Sequence, residues 1–252
     1  MVNFKHLKSL CLLSLMLVSV PLSAQIQGPE GDVPASIAQK TPSVDEQISD
    51  LMANPNFSLQ QKQQVLNKLK RINTYNFPDD YLSETTLNVP AYKQETSYWC
   101  GPATTKQTMQ FLTGSSNSQS SIASSLGTTS SGTDGTKIVK YLNNNQSHYY
   151  YTIYELNQDD IDTEYAQQMI DLALFQNAPV ILRVNTKGIS GWPYSSSGHF
   201  LNLSGQTQYA TKYQVTDPWI KWVDSSSTGT YWLNSTAVFD ATLNHFAQHI
   251  YL

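Results

Sequence analysis

Residues 98–103 read Tyr-Trp-Cys-Gly-Pro-Ala, and this stretch places Cys100 where a loop turns into a helix. Because proline is tolerated in the first turn of a helix and glycine is a typical terminator, we predict a helix over 102–112 that ends at Gly114. At a helix start, the dipole and the unpaired backbone N–H groups favour the thiolate, which is the nucleophilic form of cysteine. Gly101 leaves room for a substrate backbone beside the sulfur. The other interpretation is an inert buried cysteine, the commonest state of a free thiol.

The first 24 residues have the layout of a secretory signal peptide. A basic start at Lys5 is followed by the apolar stretch 10–20, and small residues lead to a predicted cut after Ala24. Cys11 would leave with this leader, and Leu10 before it argues against a lipid anchor. Cys100 is then the only cysteine of the exported chain. A lone thiol in an oxidising compartment is either buried and inert or kept for its chemistry.

Charge and hydropathy exclude two classes of protein. The chain has 15 basic and 19 acidic residues; removal of a leader with two lysines and no acid leaves a net charge of −6. An acidic chain with two arginines has no electrostatic surface for nucleic acid. No later stretch approaches the ~20 apolar residues of a membrane span. We therefore expect a secreted protein, extracellular or in the cell envelope, without a transmembrane segment; its oligomeric state is not predicted.

The region 25–86 separates the leader from the main domain. Residues 25–42 are rich in proline, glycine and small polar residues and indicate a flexible linker. A short helix over Val44–Met52 and a second one capped by Ser58 follow. Because an apolar helix face needs a surface to bury against, we expect this region to dock on the main domain and to limit access to the cysteine. A propeptide, an accessory cap and a spacer all remain open.

The main domain is predicted to span 87–252, with helices first and strands second. Helical patterns occupy 102–112 and 160–176, and no element is predicted for the Ser/Thr/Gly-rich stretch 115–136. Strand patterns then follow at 180–184, 199–203, 213–216 and 230–233. This order predicts an α+β domain in which N-terminal helices pack against a C-terminal antiparallel sheet.

Two residues are candidate partners of the cysteine. Of the four histidines after the leader, only His199 follows a glycine-containing loop and opens an apolar strand, which is a rigid position suited to a general base. Asp217 ends the strand predicted to pair with it, so that its carboxylate can orient the imidazole. A core histidine and a turn-starting aspartate are the structural alternatives. His245 and His249 have only a weak metal spacing, and we expect packing roles for them.

The four site residues together resemble a known family. In chain order they are Gln94, Cys100 in Cys-Gly-Pro-Ala, His199 in Gly-His-Phe, and Asp217 before proline, and this order resembles the papain-like cysteine peptidases. The branch in question is typified by the double-glycine leader peptidases of bacteriocin exporters, with their secreted stand-alone relatives. The resemblance implies a papain-like fold, a thiolate–imidazolium pair, an aspartate as third member and an oxyanion hole that uses the Gln94 amide and the Cys100 N–H. It implies a peptide or protein substrate, no cofactor and no metal.

The exporter peptidases are cytoplasmic and fused to transporter domains, so their leader-peptide specificity is not carried over. Peptide-bond hydrolysis is the main expectation, but the same triad serves amidases and acyl transferases, which differ in whether water or an amine resolves the acyl-enzyme. A non-catalytic binding module of the same fold is a second class. A metal site of Cys100, His199 and Asp217 is the least supported, because one thiolate lacks the usual structural-zinc pattern.

Overall fold

The structure is a computed structural model that describes residues 26–31, 40–70, 84–156 and 160–252. The predicted signal peptide lies outside these ranges, as does most of the chain between the second helix and the main domain. Within the described ranges, no helix combines the length and the apolar character that a membrane crossing requires.

The described residues form eight α-helices and nine β-strands. The helices are α1 (Val44–Ala53), α2 (Leu59–Lys70), α3 (Cys100–Thr113), α4 (Gln119–Leu126), α5 (Gly135–Asn145), α6 (Asp160–Phe175), α7 (Ile220–Val223) and α8 (Ser235–Leu243). The strands are β1 (Ile26–Gln27), β2 (Thr85–Thr86), β3 (Ile153–Glu155), β4 (Val180–Val184), β5 (Tyr194–Ser195), β6 (His199–Gln206), β7 (Lys212–Thr216), β8 (Thr230–Asn234) and β9 (His249–Tyr251).

One antiparallel sheet organises the molecule. Its strands run in the order β3-β9-β4-β6-β7-β8, and β2 adds to β6 outside this path. Every pair in this sheet is antiparallel. The α+β architecture predicted from the sequence, with helices packed on an antiparallel sheet, is therefore confirmed.

Both faces of the sheet are covered, which explains why β4 and β6 are buried along their whole length. Successive side chains of a strand point to opposite faces. Leu182 and Leu201 accordingly pack in a core cluster with α6 and α8. Ile181 and Phe200, one position away on each strand, pack in a second cluster with α3, α4 and α5. The second cluster contains Cys100, so the helix that carries the cysteine is anchored directly on the sheet.

The predicted elements differ from the observed ones in several places, and the strands β3 and β9 and the helices α7 and α8 are among those that the sequence did not predict. Helix α3 begins at Cys100, two residues before the predicted start, and ends as expected at Gly114, which has a left-handed φ of 72°. Helix α4 and the start of α5 fall in the stretch 115–136, for which no element was predicted. Helix α4 contains four serines and one glutamine among eight residues and buries Ile122, Ala123 and Leu126, so its helical pattern is weak in sequence.

The N-terminal region is not a plain linker followed by helices. Residues 26–31 lie against the main domain, and β1 pairs in parallel with β5. Helix α1 has the reciprocal cap of Ser43 and Glu46, and α2 has the predicted cap, in which Gln61 N donates to Ser58 Oγ at 3.3 Å. Leu51 of α1 and Phe57, in the turn between the two helices, pack on Tyr150 next to β3, and Val65 and Leu66 of α2 pack against this cluster.

Candidate active site

Cys100 is the first residue of α3, and its side chain is 0% exposed. The residue before it, Trp99, makes no side-chain hydrogen bond to the first turn. The first backbone N–H groups of a helix have no partner within the helix, and their partial positive charge favours an anion. The sulfur thus occupies a position that favours the thiolate, but it is covered in this structure.

His199 and Asp217 are brought into direct contact. His199 opens β6, and its Nε2 lies 2.9 Å from Asp217 Oδ1 in a pair with no exposed side-chain surface. Asp217 follows the last residue of β7, whose Thr216 is in register with Asn202 of β6. The antiparallel pairing therefore returns the chain to the start of β6 and places the carboxylate beside the imidazole. The aspartate also starts a turn, because its Oδ1 accepts the N–H of Trp219 at 2.7 Å.

Two tyrosines complete the environment of the Asp217 carboxylate. The hydroxyls of Tyr194 and Tyr231 donate to Oδ2 at 2.5 and 2.6 Å. Burial raises the pKa of Asp217, but the charge and the hydrogen bond of His199, together with the two hydroxyls, outweigh burial and hold the pKa below its usual value. Burial, and then the Asp217 charge, raises the pKa of both tyrosines well above 10, so they remain donors. Neither tyrosine was predicted as a site residue.

The second imidazole nitrogen of His199, Nδ1, differs from Nε2 in its surroundings. His199 Nδ1 is buried and has no hydrogen-bond partner among the described residues. The ring of Tyr194 stands edge-on to the imidazole, with centroids 5.6 Å apart and an interplanar angle of 90°. The carboxylate and the aromatic ring together fix the orientation of the imidazole, while Nδ1 stays available to exchange a proton.

Gln94 lies in the loop before α3 and is tied to the Asp217 turn. Its backbone N–H donates to the carbonyl of Pro218 at 3.0 Å, and its own carbonyl accepts from the indole of Trp222. The side-chain Nε2 donates to Thr96 O at 2.7 Å. One of the two amide N–H groups is therefore used inside the loop, and an oxyanion would have to be bound by the other one.

The residues around the sulfur come from two further segments. Position 101 requires glycine, because a Cβ there would lie 2.6 Å from Thr133 Oγ1. The sequence suggested that Gly101 makes room for a substrate; the structure shows that it makes room for Thr133. The N–H of Thr133 donates to the carbonyl of Gly31 at 2.9 Å. A Cβ on Gly31 would lie 2.5 Å from Cys100 Sγ.

The remaining histidines do not form a metal site with these residues. His245 and His249 are both buried, and His249 lies within hydrogen-bond distance of Thr41, with Nε2 and Oγ1 2.8 Å apart. His245 Nδ1 accepts the N–H of Ala247. Across the described part of the chain, no group of three or more His, Cys, Asp or Glu side chains is arranged to hold a metal ion.

Comparison with protein families identifies a match. A family model described as the Peptidase_C39 like family matches residues 86–242, which is more than half of the chain and contains Gln94, Cys100, His199 and Asp217. No curated protein matches the sequence.

Proposed function

The chain belongs to the Peptidase_C39 like family, and on this premise we propose that it is a secreted cysteine peptidase that hydrolyses peptide bonds. Cys100 is the nucleophile, His199 the general base and acid, and Asp217 the residue that orients the imidazole. The observation that carries the proposal is the buried His199–Asp217 pair, in which Nε2 is bound at 2.9 Å and Nδ1 is left without a partner among the described residues.

The proposed reaction follows from this arrangement. The Cys100 thiolate attacks the carbonyl carbon of the peptide bond, and the bond to nitrogen breaks as the imidazolium of His199 donates its proton to the leaving amine. The acyl group remains on the sulfur as a thioester. A water molecule then attacks the thioester as one of its protons passes to the imidazole. The carbon–sulfur bond breaks and releases the thiolate and the carboxylic acid, which loses its remaining proton to the solvent. The anionic Asp217 stabilises the imidazolium in both steps.

The oxyanion of each tetrahedral intermediate is assigned to two donors. The first is the backbone N–H of Cys100, at the open end of α3. The second is the N–H of Gln94 that does not bind Thr96 O. Removal of such a donor costs about 10²–10³-fold in turnover, so Gln94→Ala should lower turnover by that amount without unfolding the protein.

Hydrolysis of a mixed library of quenched fluorescent peptides by the protein that begins at residue 25 tests the proposal. We expect hydrolysis to be lost in Cys100→Ala and in His199→Ala, and to be lowered less in Asp217→Ala. His148→Ala, at an exposed histidine, is the matched control and should keep the wild-type rate. Hydrolysis that persists in Cys100→Ala would refute the assignment of the nucleophile. Absence of hydrolysis both in the wild type and in Gly31→Val, whose added side chain would collide with Cys100 Sγ, would favour the non-catalytic binding module.

A further inference from the structure

Residues 27–31, Gln-Gly-Pro-Glu-Gly, form an extended segment that we name the cleft segment. It runs alongside β5 and onward to His199. The β1 strand, which includes its first residue, pairs in parallel with Tyr194 and Ser195, and Glu30 pairs in the same sense with Gly198. The N–H of Gly28 donates to Ser195 O at 2.5 Å, and the hydroxyl of Ser196 donates to Pro29 O. The segment is thus added to the strand edge that leads to the candidate base.

The cleft segment is also held from the opposite side. Thr133, which lies just before α5, donates its N–H to the carbonyl of Gly31 at 2.9 Å. The segment therefore lies between two walls, one formed by the residues before His199 and the other by Thr133. Cys100 lies at the end of the segment, as shown by the 2.5 Å that would separate a Cβ on Gly31 from its sulfur.

Steric contacts restrict two of its five positions. A Cβ on Gly31 would lie 2.5 Å from Cys100 Sγ and 2.9 Å from the carbonyl oxygen of Tyr98. A Cβ on Gly28 would lie 2.6 Å from the ring of Tyr194 and 2.7 Å from Ser195 O. Contacts under 3.0 Å require the surroundings to move, and here they include backbone atoms. Both positions therefore accept glycine only.

Of the other three side chains, Pro29 is buried, and the remaining two contribute little to binding. Gln27 and Glu30 are exposed, and Glu30 lies 3.5 Å from Lys187 Nζ in a pair with about half of each side chain in solvent. An exposed ion pair of this kind contributes little. The segment is thus held through its backbone, through the buried side chain of Pro29 and through close contacts at its two glycines, in the manner of strand addition by an extended peptide.

From these contacts we infer that the cleft between β5 and Thr133 is the peptide-binding site, and that the chain's own residues 27–31 occupy it as an internal ligand. A peptide binds there as a strand parallel to β5, with glycine against Cys100 and a second glycine three residues earlier. The assignment of this cleft as the site where a substrate peptide binds rests on the proposed function. It also narrows the expectation that the region 25–86 limits access to the cysteine: α1 and α2 pack beside β3, and the part of the region that lies against Cys100 Sγ is Gly31 of the cleft segment.

Alkylation of Cys100 by iodoacetamide in the folded full-length protein measures occupancy of the cleft without any substrate. In Gly31→Val, the added side chain collides with the sulfur and displaces the segment, so we expect alkylation at least about tenfold faster than in the wild type. Ala53→Val, which adds bulk at an exposed residue of α1, is the control and should react at the wild-type rate. Circular dichroism and thermal unfolding verify that each variant is folded. Equal rates in folded wild type and Gly31→Val would overturn the inference.

A second measurement supplies the segment in trans. A synthetic peptide with the sequence of residues 25–31, added in excess to Gly31→Val, should slow alkylation back toward the wild-type rate. The same peptide with valine at its last position should have no effect. Equal protection by both peptides would overturn the requirement for glycine, and no protection by either would overturn the site itself. These rates are read independently of turnover. A Gly31→Val protein that is inactive without added peptide, and in which the first peptide protects Cys100 from alkylation, would refute the proposed function and leave the inference standing.

Discussion

Asp217 is the residue on which the candidate site depends. A carboxylate without exposed surface is costly unless its oxygens are fully hydrogen-bonded. Here Oδ1 binds His199 and the N–H of Trp219, while Oδ2 binds the hydroxyls of Tyr194 and Tyr231. Four donors on two oxygens explain how the group stays charged in the interior. An anionic Asp217 in turn favours the protonated imidazole that a thiolate–imidazolium pair requires.

Removing one donor should change the pH dependence of the site. In Tyr231→Phe the carboxylate loses a hydrogen bond, so the pKa of Asp217 rises. The ionised Asp217 carboxylate orients the imidazole of His199 at every pH above the pKa of Asp217. This interaction is lost as the pH falls through that pKa. We therefore expect the acid limb of peptide hydrolysis, or of Cys100 alkylation, to move to higher pH by about one unit, as loss of a hydrogen bond to a charged group implies. Tyr209→Phe, at a 62% exposed tyrosine, is the control. A uniform loss of rate with an unmoved acid limb would indicate a purely structural role.

At the level of elements, the strength of the local pattern decided what the sequence could predict. The strand over 180–184 and the start of the one at His199 contain adjacent apolar residues, as strands with both faces covered do, and the sequence predicts both. Helix α5 buries Ile138, Val139 and Leu142 and was still missed, because it follows a stretch without a helical pattern. The cleft segment was interpreted as a linker from its glycine and proline. Its pairing depends on tertiary contacts that no local pattern encodes.

The candidate site shows the same difference between what the local sequence indicates and what only tertiary contacts decide. Cys100, His199 and Asp217 were chosen from their chemistry and their order, and the structure brings the last two together at 2.9 Å. Tyr194 and Tyr231 could not be chosen, because they meet at Asp217 through the pairing of β7 with β8 and through the loop that ends in β5. That pairing, which places Tyr231 opposite Val215, is known only from the folded chain.

The helix pair α1–α2 should form a local unit that depends on Leu51. This side chain is 0% exposed and packs with Phe57 and Tyr150. Leu51→Ala leaves a cavity in this small cluster, which costs about 2–5 kcal/mol. We expect faster amide hydrogen exchange in α1 and α2, with unchanged protection in β4 and β6, because local opening need not involve the sheet. Leu59→Ala, at a leucine that is 81% exposed, should leave exchange unchanged. Equal loss of protection in the sheet would show that the helices and the sheet unfold together.

The whole molecule carries a second buried carboxylate, which lies outside the candidate site. Asp171 of α6 is 0% exposed, and burial raises its pKa to about 7, a rise only partly offset by the hydroxyl of Tyr213 on β7. The two aspartates therefore have opposite effects on folding. Asp217 is more acidic in the folded protein than in the unfolded one, whereas Asp171 is less acidic. The stability of the domain at neutral pH includes the cost of ionising Asp171 inside it.

This difference predicts how stability changes between mildly acidic and mildly basic solution. Above a pH of about 4 the unfolded chain has released the Asp171 proton, while the folded chain keeps it until a pH of about 7. The folded state then binds more protons than the unfolded state, so stability falls as the pH rises through this window and is constant above it. At about 1.4 kcal/mol per pH unit, the wild type should lose about 2–3 kcal/mol between pH 5 and pH 8 through this group. Asp171→Asn, which cannot ionise, should lack this loss in urea unfolding at the two pH values, while Asp240→Asn, at an exposed aspartate, should retain it. The same loss in Asp171→Asn as in the wild type would show that Asp171 is ionised in the folded protein already at pH 5.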